Sequence, residues 1–147
     1  MPLVKSLIDA CGEAGLVFAY SADFEKTRIS ELAARFLRYR KSLLAIVSRI
    51  VDLLPVARQC YYHPGQQGSW SIKKVLPALV PTLSYADLDG VQNGGEAVDA
   101  YREAIAPQTR EGDKEIIRHR LLKYCELDTY AMVRLWQIFA QRQDMKL

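Results

Sequence analysis

With 147 residues, half of them hydrophobic and a quarter charged, the chain is long enough to bury a core and too apolar to be disordered. A net charge of +3 tolerates an anionic partner without demanding one. No apolar run reaches the ~20 residues of a membrane span, and Asp9 and Glu13 interrupt any secretory apolar segment, so a cytoplasmic protein with no membrane role is expected.

Leu3, Val4, Leu7, Ile8 and Cys11 recur at helical spacing, and Gly12 and Gly15 end that helix. Leu16 to Tyr20 is a short uninterrupted apolar run, the pattern of a strand buried on both faces in a parallel sheet. Ser21 or Asp23 is suited to cap a following helix whose Ile29, Leu32, Ala33 and Phe36 share one side. A further helix carries Leu43, Val47 and Ile50 on one stripe. A short strand is expected around Ile50 to Leu54, with Pro55 marking its far end.

His63 to Gly68 is a polar turn-forming loop, and Ser69 or Ser71 starts a helix through Ile72, Val75 and Leu76 that Pro77 must distort or end. Asp89 to Gly95, with Asp-Gly and Asn-Gly-Gly, is the clearest flexible connection. Ala97 to Ala104 is helical in pattern. A last helix from about Lys114 sets Ile117, Leu121, Tyr124, Asp128, Ala131 and Leu135 along one face. Cys11, Cys60 and Cys125 lack Cys-x-x-Cys spacing and leave one over, so they read as buried small hydrophobes in a reducing compartment. Only His63 and His119 could join them, which argues against zinc, and His63 carries no assigned role.

Tyr124 and Asp128, at i and i+4, stand about 5–6 Å apart at Cβ on one helix face. A carboxylate there suits a hard divalent cation, and a phenol one turn earlier suits orienting a water. Taken alone, the spacing is far more often that of a surface pair or of a tyrosine facing the helix N-terminus. Three segments occur in order: Tyr20 to Lys26, Ser71 to Pro77 with Ser84 to Leu88, and Tyr124 to Asp128. Together they resemble a bacterial domain-of-unknown-function family of RNase H-like proteins, over about Leu3 to Phe139. Its members are often the C-terminal part of longer chains whose N-terminal part resembles a RecB-type nuclease. The Glu25 and Tyr124–Asp128 segments resemble the later acidic motifs of the DEDDy exonucleases.

The resemblance implies an α/β, RNase H-like domain spanning 1–147. The opening antiparallel meander, with its Asp-x-Glu strand, is expected to be missing, leaving a mostly helical remainder with about two short strands. It implies Glu25 as the second-motif acid in place of the usual Asp, Asp128 as the last acidic ligand, and Tyr124 as the water-orienting phenol. Glu25 and Asp128 would then hold Mg²⁺ or Mn²⁺, weakly or not at all in this chain alone, for an impaired metal-dependent nuclease acting on DNA or RNA. The alternative is a non-catalytic module of the same ancestry that docks to nucleic acid or to a neighbouring nuclease domain. A bare strand would also invite a homo-oligomer or a partner nuclease domain to cover it.

Lys73, Lys74 and Arg28 are the candidate nucleic-acid contacts, although exposed lysines on an amphipathic helix and a solvated basic face over Lys26 to Lys41 remain the plainer readings. Asp23 competes with Glu25 for a metal role and is the better cap. Trp70, Tyr61 and Tyr62 are of the type that stacks on bases, with packing as their commoner fate.

Overall fold

A computed structural model describes residues 2–142. The chain is mostly helical, with two short parallel strands, and divides into two compact units, Met1–Tyr61 and Tyr62–Leu147. Among the described residues no helix is long and apolar enough to cross a membrane.

In the first unit, α1 (Pro2–Cys11) opens on a proline, whose missing N–H would have no helical partner there. It ends where Gly12 turns left-handed at φ 57° and its N–H returns to the Ile8 carbonyl. Strand β1 (Val17–Ala19) pairs in parallel with β2 (Ile50–Asp52), in the register Val17–Ile50, Phe18–Val51 and Ala19–Asp52. Parallel pairing needs a crossover, supplied here by α2 (Asp23–Arg35), a 3₁₀ turn at Leu37–Tyr39 and α3 (Arg40–Arg49). Val4, Ala19, Ile29, Ala33, Leu43 and Ile46 form the core among these elements. The strand is less enclosed than its apolar run suggests: Val17 and Phe18 are half-buried, and only Ala19 is buried.

Arg49, just before β2, and Asp52, its last residue, hold the backbone on either side of β1. The Arg49 guanidinium donates to the carbonyls of Cys11, Gly12, Ala14 and Gly15 at 2.7–3.2 Å, covering the end of α1 and the turn into β1. The Asp52 carboxylate accepts from Ser21 N at 2.9 Å, Ala22 N at 3.0 Å and Leu54 N at 2.9 Å. Neither Ser21 nor Asp23 caps α2 with its own side chain. The cap position is Ala22, whose own N–H donates to the Asp52 carboxylate 30 residues later. The same carboxylate holds Ser21 at φ 63°, a conformation that costs a non-glycine residue about 1–2 kcal/mol.

Asp52 is also the N-cap of α4 (Leu53–Cys60), a helix in place of the strand end expected at Leu53 and Leu54. Pro55 falls in its first turn, where no helical bond is asked of its nitrogen, so it is tolerated rather than terminating.

In the second unit, a 3₁₀ turn (Pro64–Gln66) precedes α5 (Ile72–Leu79), and another (Tyr85–Asp87) precedes α6 (Gly94–Ile105) and α7 (Glu111–Phe139). Helix α7 packs against α6 and α5. The face anticipated on α7 is the one turned inward: Ile117, Ala131 and Leu135 are buried, and Leu121, Tyr124 and Asp128 are half-buried. Pro77 stays inside α5 and denies the Lys73 carbonyl its i+4 partner.

The connection before α6 is pinned at several points. The Arg120 guanidinium reaches Asp89 at 3.1 Å, and Gln92 Nε2 donates to the Ala86 and Leu88 carbonyls at 3.1 and 3.0 Å. Asn93 caps α6 by accepting from Glu96 N at 3.0 Å, while its amide donates to the Glu96 carboxylate. Gly90, at φ 86°, is required there, since a Cβ would also lie 2.8 Å from Arg120 Cδ.

Replacing Asp52 should test how far the first unit leans on one carboxylate. Asp52→Ala removes the acceptor for three N–H groups and is expected to cost about 2–3 kcal/mol in urea unfolding followed by circular dichroism. Asp52→Asn keeps one acceptor oxygen and should lose roughly half as much. Equal stability of Asp52→Ala and wild type would refute the role.

Candidate functional site

Helix α7 places Tyr124 and Asp128 one turn apart on its inward face, as their spacing requires. The Tyr85 hydroxyl, from the 3₁₀ turn before α6, donates to Asp128 Oδ1 at 2.7 Å. Tyr85 is only 3% exposed and belongs to a small core with Leu76 and Ala131, against which Tyr124 and Leu127 pack. Its ring lies 6.1 Å from that of Tyr124, tilted by 54°. Ser84 sets this turn by accepting from Ala86 N at 3.2 Å. Asp128 is thus aimed by a buried phenol and not left free on the helix surface.

Burial, reinforced by the hydrogen bond to Asp128 and that residue's charge, raises the Tyr85 phenol far above its ordinary value. Burial also raises Tyr124, with the charges of Asp128 and Glu96 adding to it. Both phenols therefore stay protonated at neutral pH, so Tyr124 can hold a water by hydrogen bonding but cannot act as a phenolate base. Burial and then Asp128 raise the neighbouring Cys125 thiol, which argues against a nucleophilic cysteine. Contrary to the expected burial, Cys60 and Cys125 are exposed and Cys11 is half-buried; all are free thiols.

A cleft of about 590 Å³ opens beside Tyr85. Lys73 and Lys74 of α5 line it together with His63, Pro77, Pro81 and Asn93. His63 holds its own loop: its N–H donates to Gln66 Oε1 at 2.7 Å and its Nδ1 accepts from Gly65 N at 3.1 Å. Tyr62, 64% exposed, and Trp70 lie with ring centroids 6.2 Å apart, tilted by 57°.

Glu25 and Arg28 belong to the first unit. Glu25 is exposed in the first turn of α2 beside Phe24, itself 69% exposed. Arg28 lies 5.6 Å from the Phe24 ring centroid and ion-pairs with Glu31 at 2.7 Å, so part of its charge is met within its own helix. Arg35 and Arg38 likewise lie over Phe36 and Tyr39. No Asp-x-Glu lies on either strand; the two such triplets, beginning at Asp23 and Asp113, open helices α2 and α7. Among the described residues, no group of three or more His, Cys, Asp or Glu converges as a metal set would.

The Tyr85–Asp128 bond can be measured directly. Tyr85→Phe should lower stability by about 1.5–3 kcal/mol, the range for hydrogen bonds to charged groups. Because the folded phenol titrates above its unfolded value of about 10, the folded state binds more protons over that interval, and stability must fall as pH rises past 10. Tyr85→Phe should flatten that alkaline fall in urea titrations. An unchanged slope would show that Tyr85 is not the group responsible.

No curated protein and no solved structure matches the chain. Residues 1–71, the whole of the first unit and the opening of the second, match the family model described as Domain of unknown function (DUF2779), which supports a domain-of-unknown-function family for this protein.

Proposed function

We propose that this chain carries the later acidic motifs of a metal-dependent, DEDDy-type nuclease of RNase H-like ancestry acting on DNA or RNA, and that by itself it is catalytically impaired. The observation that carries the reading is the Tyr124–Asp128 pair on one face of α7, with Asp128 aimed by the buried Tyr85 hydroxyl. The bond holds the carboxylate in one orientation, where a solvated helix face would leave it to rotate. Glu25 supplies the second acid and Tyr124 the water-orienting hydroxyl.

Hydrolysis by two ions about 3.5–4 Å apart needs enough carboxylates to hold both. Asp128 has already committed Oδ1 to Tyr85, Glu25 adds one carboxylate, and neither strand bears an Asp-x-Glu. These residues do not fit a complete Mg²⁺ or Mn²⁺ centre, so no metal-dependent step is assigned to the chain alone. That no third acidic or histidine ligand joins them among the described residues favours the second reading, a non-catalytic module of the same ancestry that docks to nucleic acid or a nuclease domain.

Two measurements separate them. Paramagnetic resonance titration with Mn²⁺ is expected to show one weakly held ion, with Asp128→Asn lowering its affinity. No change in that variant would sink the metal-ligand role of Asp128. Incubated with single-stranded DNA or RNA and Mg²⁺ or Mn²⁺, the purified chain should cleave barely above background. Robust cleavage abolished by Asp128→Ala would overturn the impairment while establishing the nuclease.

A further inference from the structure

The cleft beside Tyr85 has a charge balance suited to an anion. Lys73 and Lys74 line it and no carboxylate does. Neither lysine is ion-paired among the described residues, and the single hydrogen bond of Lys74, to Gln67 Oε1, is long at 3.3 Å. Of the acids outside the lining, Asp128 accepts from Tyr85, and Glu96 accepts from Gln92 N and Asn93.

His63 adds a third donor by way of its fold. A neutral imidazole that accepts at Nδ1, as His63 does from Gly65 N, carries its proton on Nε2. The cap thus fixes the tautomer, and Nε2–H is left as a donor without any need for protonation. Pro77, Ala78 and Pro81 give the cleft an apolar wall. At about 590 Å³ it is far larger than a bare anion needs and falls within the range of organic-ligand sites.

We propose that this cleft is a phosphate-ester subsite, in which Lys73, Lys74 and the Nε2–H of His63 hold the phosphate of a nucleotide while the proline-lined wall receives its organic part. The proposal names a substrate subsite of the nuclease reading and rests on that reading for the identity of the ligand. The anion chemistry itself rests on the cleft alone.

Fluorescence anisotropy of a labelled single-stranded oligonucleotide of about 15 nucleotides tests it, at low salt and with chelator present so that no metal contributes. Wild type should bind. The double variant Lys73→Gln, Lys74→Gln should lose at least about tenfold in affinity and shed roughly 1–2 from the slope of log affinity against log salt. His63→Asn, whose side-chain oxygen retains the cap on Gly65 but which lacks the Nε2 donor, should lose about threefold or more. Lys114→Gln, on α7 and paired with Glu111, is expected to bind as wild type.

Competition by nucleoside monophosphate or inorganic phosphate would identify the free ligand as an occupant. Binding of the oligonucleotide alone would identify the strand. Wild-type affinity in both cleft variants, each with an unchanged melting curve, would overturn the proposal, as would failure of all three probes to bind wild type. Because chelator is present, either outcome is independent of the Mn²⁺ titration, and the two readings can fail separately.

Discussion

A parallel pair of three-residue strands has too few ladder bonds to hold itself in register, so something outside the ladder must fix where β1 lies. The Asp52 carboxylate does this at one end by taking the N–H groups of Ser21 and Ala22, just beyond β1. Arg49 does it at the other by taking the carbonyls of Ala14 and Gly15, just before β1. The two residues flank the apolar dipeptide of β2 and carry opposite charge, each matched to the backbone group it meets. The negative one also stands at the N-termini of α2 and α4, where helix dipoles favour it. Registration, helix starts and the positive φ of Ser21 thus depend together on one side chain.

The second unit solves its problem differently. Its described residues form no sheet, and a 29-residue helix serves as the element on which shorter pieces settle. A helix that long does not define where a loop should dock against it. The Tyr85 hydroxyl supplies the address by meeting Asp128, 43 residues away, and Ser84 and Gln92 fold the intervening loop so that the phenol arrives buried. The ion pairs along the outer face of α7, such as Glu115 with Arg118, are exposed and contribute little to this choice.

Elements governed by local periodicity were legible. The apolar face of α7, the glycine end of α1 and the helix through Ile72, Val75 and Leu76 all follow from spacing and turn chemistry. What escaped depended on partners distant in sequence. Ser21 and Asp23 have the composition of caps, but Asp52 reaches α2 first with a carboxylate already placed by β2. Pro55 read as a terminator because its place in the turn decides its effect, and that place was set by the Asp52 cap. Tyr85 went unassigned because i, i+4 spacing reports neighbours on one helix only. The cleft escaped because His63, Lys73 and Asn93 come from three separate segments. Cys60 and Cys125 face solvent because residue type alone does not set burial; on a helix, only the side that meets a neighbour is covered.

The cap on α6 bears on how the protein ages. Asn93 precedes Gly94, the pairing in which a side-chain amide is most readily lost through attack by the next backbone nitrogen. In the folded chain that amide is committed to Glu96 at both its oxygen and its nitrogen, and Gly94 is already the first helical residue. Attack requires the side chain to leave Glu96 and the Gly94 backbone to unwind. The rate of deamidation at this asparagine is therefore a clock that counts openings of the first turn of α6. Each completed event replaces the capping amide with a carboxylate facing Glu96, or reroutes the main chain through an extra methylene, so the helix start does not reclose as it was.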